Sequence, residues 1–380
     1  MSELTQEDSP AGEGKKPSGN DGAAAAVGKT RRTARTSRGV SKAHKAKSTP
    51  KRMPKRSADL SKELQGKIKS VIDRRRAQPW DPTLSEVAQK LASELFGEAI
   101  AARDAGDGIG AIKLLVRSLE LHSNSDQVRT ELETRISQTY STDLTKRCFI
   151  YPDPVRAESF YGEAFRKAIE FVHYNGVSGD IYEFGVLGGW TARLFAERMR
   201  DIGHLGHLHL YDSFAGLPRD KHPVDAASYD VTRGVWSDEM ELPQSLRNDL
   251  GMPVEEHIAC MLATIIPDER IHVSKGLFSD SLKLPVPTKA AIVHLDCDLY
   301  QSTLEVLDAL DRDTALQDGT LLMFDDWNCN RGNPLFGQRR ALQEFLDARN
   351  GRWSTSLFFG YGHNCTCLIL HDMTLGPVTA

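Results

Sequence analysis

From residue 150 to the C-terminus, short apolar runs alternate with stretches of helical periodicity. The runs are Asp180–Val186, Leu208–Asp212, Arg270–Ser274, Ala291–Asp296, Thr320–Asp325, Trp353–Phe359 and Cys365–Leu370, and each predicts a strand. Apolar positions three and four apart predict helices over 156–174, 189–201, 254–265, 300–311 and 338–349. Such alternation implies parallel strands with helices on both faces of the sheet. The last two runs leave no room for a helix between them, so they predict an antiparallel hairpin at the sheet edge. The expectation is an α/β fold with a seven-stranded Rossmann-like sheet and an antiparallel terminal hairpin, the class I methyltransferase architecture, over residues 146–380.

Upstream, residues 57–145 carry helical patterning without strand signals. Glu98–Leu132 reads as a helix, a Gly106-Asp107 break, a second helix rich in leucine, and a polar turn. This resembles one tetratricopeptide unit, and such units stabilise one another by stacking. An ordinary helical hairpin is the alternative. The region is a candidate surface for a protein partner or for self-association.

Residues 1–56 have no aromatic residue and are dominated by small, polar and basic side chains. Such a stretch buries too little apolar surface to offset its ordering entropy, so disorder is expected. The segment holds 14 Lys/Arg against 5 Asp/Glu, a net of +9, which leaves −13 on the remainder for the overall −4. A basic arm on an acidic body suggests polyanion binding; a solvated tail is the alternative.

No apolar run approaches the roughly 20 residues of a membrane span, and the first residues lack an apolar signal core. The six cysteines form no C-x-x-C pair. Free thiols in a reducing, cytoplasmic setting are the expectation, with no disulfide framework.

The candidate chemistry lies where the predicted strands end. The first strand runs Glu183-Phe184-Gly185-Val186-Leu187-Gly188-Gly189 into a helix. A glycine turn there lets backbone approach a ligand closely, at the carboxyl edge where open sheets bind ligands. It is not the G-x-G-x-x-G dinucleotide fingerprint. Asp212, followed by Ser213, ends the second strand and is suited to accept hydrogen bonds from ribose hydroxyls. Phe278 and Ser279, after the third strand, suit the face and edge of an adenine ring. Asp296 ends the fourth strand, and the adjacent Asp325 and Asp326 end the fifth. Crowded carboxylates repel one another unless a proton or cation joins them, and oxygen-only ligation suits Mg²⁺. Asp296, Asp325 and Asp326 are therefore the candidate metal ligands, and Asp296 is also the candidate base for a substrate hydroxyl. Asp298 is a lesser candidate for that set, and is expected to cap the helix starting near Tyr300.

These segments, together with Asp212–Pro218, Gly276–Leu282, Asp296–Thr303 and Gly337–Phe345, resemble the macrocin O-methyltransferase family of antibiotic-sugar O-methyltransferases. The resemblance runs over about residues 150–370. It implies S-adenosylmethionine as methyl donor, Mg²⁺ or another divalent cation, and a sugar hydroxyl as acceptor, in a small molecule or a glycan. It also implies that Asp296, Asp325 and Asp326 hold the metal. Trp327 departs from the tyrosine usual after the aspartate pair, and 328–336 departs from the usual short link. Three rival readings are a nucleic-acid methyltransferase guided by the basic arm, a non-catalytic scaffold, and a nicotinamide oxidoreductase. The absence of a Pro-Pro-aromatic motif after Asp296 argues against the first. The intact carboxylate set argues against the second, and the absent dinucleotide fingerprint against the third.

Overall fold

A computed structural model describes residues 60–78, 81–140, 154–234 and 252–376. The expected disorder of 1–56 lies outside them, as does residue 141–153 at the expected domain junction. The described residues fall within one compact unit, Arg52–Ala380.

Seven strands among the described residues form one sheet: β1 (Asp180–Phe184), β2 (Leu208–Asp212), β3 (Ile271–Lys275), β4 (Ala290–Leu295), β5 (Leu321–Phe324), β6 (Trp353–Tyr361) and β7 (Cys365–Asp372). Their order is β3-β2-β1-β4-β5-β7-β6, with β7 antiparallel to both β5 and β6. This is the expected class I methyltransferase sheet. The reversal of order between β1 and β4 creates the crevice at the carboxyl ends of the strands.

Period-two alternation divides the core. Ile181 and Ile292 face helices α5 (Pro154–Tyr174), α6 (Trp190–Ile202) and α7 (Val254–Leu262). Tyr182, Phe184 and Val293 face α8 (Tyr300–Arg312) and α9 (Gly337–Ala348). Central strands β1, β4 and β5 are buried along their whole length, as mostly apolar strands covered on both faces are, and the polar exceptions Asp180, Glu183 and His294 are buried with them.

Four helices precede the sheet: α1 (Lys62–Ala77), α2 (Thr83–Asp104), α3 (Gly108–Leu121) and α4 (Asp126–Thr139). Gly106 takes φ +82 at the break between α2 and α3, and Asp107 caps α3 by accepting from the Gly110 amide at 2.8 Å. The helix, turn and helix fall where the sequence predicts them. They share a core of their own built on Leu95, Leu115 and Leu119. They are also pinned to the sheet: the Arg76 guanidinium donates to the Leu205 carbonyl at 2.8 Å, and Lys113 pairs with Asp268. Arg270, expected to begin the third strand, instead closes a short 3-10 turn (Asp268–Arg270) and is buried against Glu120 of α3. No helix among the described residues is long and apolar enough to cross a membrane.

Candidate active site

The chain leaves β1 at Phe184 and turns through Gly185 (φ +94), Leu187 (φ +48) and Gly189 (φ +81) into α6. A Cβ on Gly185 would lie 1.7 Å from the Asp296 carbonyl oxygen, so only glycine lets these two strand ends meet. A Cβ on Gly189 would press on Ile258 of α7 at 3.0 Å. The turn is held by Asp212. Its Oδ2 accepts from the Val186 amide at 2.6 Å and the Leu187 amide at 2.8 Å, while Oδ1 accepts from Phe214 N–H at 2.6 Å. Ser213 folds the following loop: its hydroxyl donates to the Gly216 carbonyl at 2.7 Å and accepts from the Ala215 amide at 3.0 Å.

These strand ends wall a cavity of about 840 Å³, within the range of small-molecule sites. Gly185, Gly188, Asp212, Ser213, Phe278, Ser279, Asp296, Asp325 and Asp326 all line it. Phe278 meets Phe184 edge-on, with ring centroids 5.7 Å apart, so it belongs to both core and cavity. Glu183 and Gly189 do not reach the wall. Glu183 is fully buried beneath it, and its Oε1 lies 3.0 Å from His294 Nδ1.

At the carboxylate end the alternation of the strands sorts the groups. His294 and Asp296 continue the face of Ile292, and Asp325 continues that of Met323. One ligand atom each from His294, Asp296 and Asp325 lies within 4.8 Å of the others. Asp326 is turned the other way: its Oδ2 accepts from the Asp298 amide at 3.1 Å, and its own amide donates to Gln338 of α9 at 2.9 Å. Burial, reinforced by Asp325, Asp326 and Asp298, pushes the Asp296 carboxyl well above the usual carboxylate range. Asp326 is raised by burial and by Asp298 and Asp325. Asp298 is pushed up to about 7 by burial, with Asp325 and Asp212 adding to it. Asp298 also takes φ +61, a left-handed conformation uncommon outside glycine.

Asp298 does not cap α8. Leu299 occupies the cap position without a side-chain hydrogen bond, and Asp225 supplies the acceptor from outside. Its carboxylate takes the Tyr300 amide at 2.7 Å and the Gln301 amide at 3.1 Å. No local signal marks Asp225, because it comes from a one-turn helix (Pro223–Ala226) some 75 positions away in sequence.

Three further groups surround Asp325 that sequence reasoning did not single out. The Cys365 thiol donates to Asp325 Oδ1 at 3.2 Å, Tyr161 OH lies 3.8 Å from Cys365 Sγ, and His294 Nε2 lies 4.0 Å from Asp325 Oδ1. Burial, with Asp325 next in weight, pushes the Tyr161 phenol and the Cys365 thiol far up, so both stay protonated as donors. His294 was discoverable from the period of two, since it stands two residues before Asp296 on the same face. The five cysteines among the described residues are free thiols.

A cation fits this donor set. The buried carboxylates each disfavour their neighbours' ionisation, and the buried His294 Nε2 lacks a hydrogen-bond partner beside them.

The description "Macrocin-O-methyltransferase" belongs to the family whose model matches residues 126–351. Among individual proteins, the chain is 30% identical over 160 residues to the 8-demethyl-8-(2,3-dimethoxy-alpha-L-rhamnosyl)-tetracenomycin-C 4'-O-methyltransferase of Streptomyces olivaceus, covering 42% of this chain and 57% of that protein. It is 27% identical over 161 residues to the demethyldecarbamoylnovobiocin O-methyltransferase of Streptomyces niveus, covering 40% and 57%. The chain thus spans about half the length of the curated relatives it matches. The solved structure of the O-methyltransferase NovP aligns at 22% identity over 56% of this chain and 79% of that one, with a TM-score of 0.43. The family match reaches over more than half of the chain, from α4 to the end of α9, and takes in the glycine turn, Asp212 and every carboxylate at the sheet edge; the chain belongs to the macrocin-O-methyltransferase family.

Proposed function

We propose that this protein transfers a methyl group from S-adenosylmethionine to a sugar hydroxyl, assisted by a divalent cation at the carboxylate edge. One observation carries the reading: the glycine turn clamped by Asp212 and the carboxylates Asp296, Asp325 and Asp326 face a single cavity. When bound, S-adenosylmethionine supplies an electrophilic methyl on a sulfonium. Gly185 and Gly188 let backbone approach that cofactor, while Asp212 and Ser213 flank its ribose and Phe278 and Ser279 its adenine. When bound, a divalent cation (Mg²⁺ by the family resemblance) lowers the pKa of a hydroxyl it holds. Asp296, Asp325 and Asp326 would hold that cation. Asp296, the carboxylate between the glycine turn and β5, takes the hydroxyl proton as general base.

The acceptor class proposed is a sugar of a secondary metabolite or a glycan. Support comes from the Streptomyces olivaceus relative, whose name specifies a rhamnosyl-tetracenomycin and its 4'-oxygen. The proposed organisation is a basic arm (1–56) that binds polyanions, a helical region (57–145) that braces the sheet and offers a partner surface, and a catalytic domain (146–380).

The test is calorimetric titration with S-adenosylhomocysteine, with Mg²⁺ present and with it chelated, followed by methyl transfer to a panel of nucleotide sugars and deoxysugar glycosides. Single-site binding and metal-dependent transfer to a hydroxyl are expected. Absence of binding under both conditions would overturn the reading.

A further inference from the structure

Tyr229, Arg233 and Arg331 form a cationic cluster beside the carboxylate edge that methyl transfer itself leaves without a task. Tyr229 opens a one-turn helix (Tyr229–Thr232), and Arg233, just past its end, donates through Nη1 to the Tyr229 hydroxyl at 2.8 Å. Arg331 comes to the same ring from the 3-10 turn Asn330–Gly332, with Cζ 3.7 Å from the ring centroid; Arg233 Cζ lies 5.0 Å from it. The two guanidiniums thus stand within about 9 Å of each other, comparable with the Debye length of about 8–10 Å, so salt only partly screens their repulsion. Both are exposed, and no carboxylate among the described residues pairs with either. Hydrogen bonding to Arg331 pulls the Tyr229 phenol below its ordinary pKa, outweighing desolvation, and the charges of Arg233 and Arg331 add to this.

The protein holds this cluster in place at some conformational cost. Asn330 and Arg331 both take left-handed backbone, φ +56 and +61, which disfavours residues other than glycine. Asp230 braces the turn: its amide donates to Asn330 Oδ1 at 3.0 Å, and its Oδ2 accepts from the Asn330 amide. The turn belongs to 328–336, the segment that departs from the family's usual link. Its Cys329 Sγ lies 3.6 Å from Asp326 Oδ1, and Arg331 follows two residues later, within about 7 Å by Cα spacing. On the other side, Asp225, four residues before Tyr229, lines the cavity. Two unpaired guanidiniums therefore border the carboxylate end of the cavity, on a body whose net charge is negative. Guanidinium forks match the geometry of phosphate oxygens and bind them bidentately.

We infer that Arg233 and Arg331, with the Tyr229 hydroxyl between them, bind the phosphate of a phosphorylated acceptor, so that the sugar is methylated as a sugar diphosphate and not as a neutral glycoside. The inference deepens the proposed function and rests on it. The shared chemistry is a diphosphate ester of a sugar, whether its other end is a nucleoside or a lipid.

The experiment titrates inorganic pyrophosphate into the full-length protein by calorimetry with divalent ions chelated, so that no metal at the carboxylates can carry it. Single-site binding is expected, weakened about 10-fold or more in Arg233→Ala and in Arg331→Ala. Arg331→Lys keeps the charge and loses the fork, so it should fall between. Melting temperature and S-adenosylhomocysteine affinity should stay at the wild-type level in all three, which separates the result from misfolding. In methyl transfer at fixed free Mg²⁺, pyrophosphate should compete with the acceptor and not with S-adenosylmethionine. Arg331→Ala should raise KM for a nucleoside-diphosphate hexose or a polyprenyl-diphosphate hexose about 10-fold with kcat little changed; whichever of the two is methylated identifies the source of the diphosphate. Pyrophosphate that fails to bind the wild type, or that binds the Arg233→Ala/Arg331→Ala double variant equally well, overturns the inference. So does a methyl hexoside methylated as well as its diphosphate counterpart. Failure of the wild type to bind S-adenosylhomocysteine overturns the proposed function instead.

Discussion

Arg270, buried in the 3-10 turn just before β3, donates through Nη1 to Glu120 Oε1 of α3 at 2.8 Å, and through Nη2 to the carbonyl of His204 at 2.7 Å. One guanidinium thus joins the N-terminal helices to the β2 side of the sheet. Burial pulls its pKa below the usual arginine value, the Glu120 carboxylate counters that, and the nearby Arg76 and Arg117 add to the lowering. Removing one partner of a buried pair leaves an uncompensated charge, at a cost of about 3–5 kcal/mol. Glu120→Ala should lose that much in urea unfolding. Glu120→Gln keeps an acceptor and should lose less. Equal, small losses for both would show that the helices contribute little to the stability of the sheet.

Gly185 and Gly203 separate two reasons for glycine. Both have positive φ, +94 and +81. A Cβ at Gly203 meets nothing within 4 Å, whereas at Gly185 it would collide with backbone of Asp296. Gly203→Ala should cost roughly 1–2 kcal/mol, the left-handed penalty alone. Gly185→Ala adds a clash that only strand separation can relieve, so a clearly larger fall in Tm is expected, with loss of S-adenosylhomocysteine binding. Comparable melting temperatures for the two variants would refute the close-approach argument.

The contrast between what the sequence revealed and what it concealed follows the range of the interactions. Strands β1, β2, β4 and β5 were legible because burial on both faces keeps them mostly apolar, with only scattered polar residues such as Glu183, His209 and His294, and the terminal hairpin because no helix fits between its strands. The aspartates were legible because each ends such a run. What a side chain meets across space was not. Asp298 read as a helix cap, yet Asp225 supplies those bonds from a short helix distant in sequence. Glu183 read as part of the cofactor turn, yet its place in the alternation sends it under the sheet to His294. Asp325 and Asp326 read as one unit, though consecutive residues leave a strand on opposite faces.

Asp212 holds the glycine turn and, in the proposed function, also the cofactor ribose, and the two can be separated. Its carboxylate already holds the Val186 and Leu187 amides. Hydrogen bonds to a charged group contribute about 1.5–3 kcal/mol each. Asp212→Ala should therefore loosen the turn and weaken S-adenosylhomocysteine by at least 10-fold in calorimetry. Asp212→Asn retains one acceptor oxygen and should fall between wild type and Asp212→Ala. Unchanged affinity in Asp212→Ala would remove this residue from the cofactor site.

Metal and pH are linked with a definite sign. Asp298 is raised to about 7, and Asp296 and Asp326 are also raised. A carboxyl whose folded pKa exceeds its unfolded value holds its proton longer when folded. Metal-free stability therefore falls as pH rises from the usual carboxylate range through about 7. A bound dication removes this penalty but must displace protons. The rise in Tm on adding Mn²⁺ or Mg²⁺ should be larger at pH 8 than at pH 5.5, as read by differential scanning fluorimetry. A rise independent of pH would mean that the ion binds elsewhere.

The base role of Asp296 can be separated from metal holding by comparing two isosteric changes. Asp296 lies on the same sheet face as Asp325 and His294, while Asp326 lies on the other, so their amides should not behave alike. Asn in place of Asp preserves size and one ligand oxygen but cannot take a proton. If Asp296 is the base, Asp296→Asn should lower kcat by about 10²–10⁴, the usual contribution of a positioned base, with much less change in metal affinity. Asp326→Asn should leave proton transfer intact, and its effect should be recovered at high metal concentration. The measurements are steady-state methyl transfer across a Mg²⁺ or Mn²⁺ series and direct metal titration of each variant. Recovery of Asp296→Asn by excess metal would assign Asp296 to metal holding and leave the proton to another acceptor.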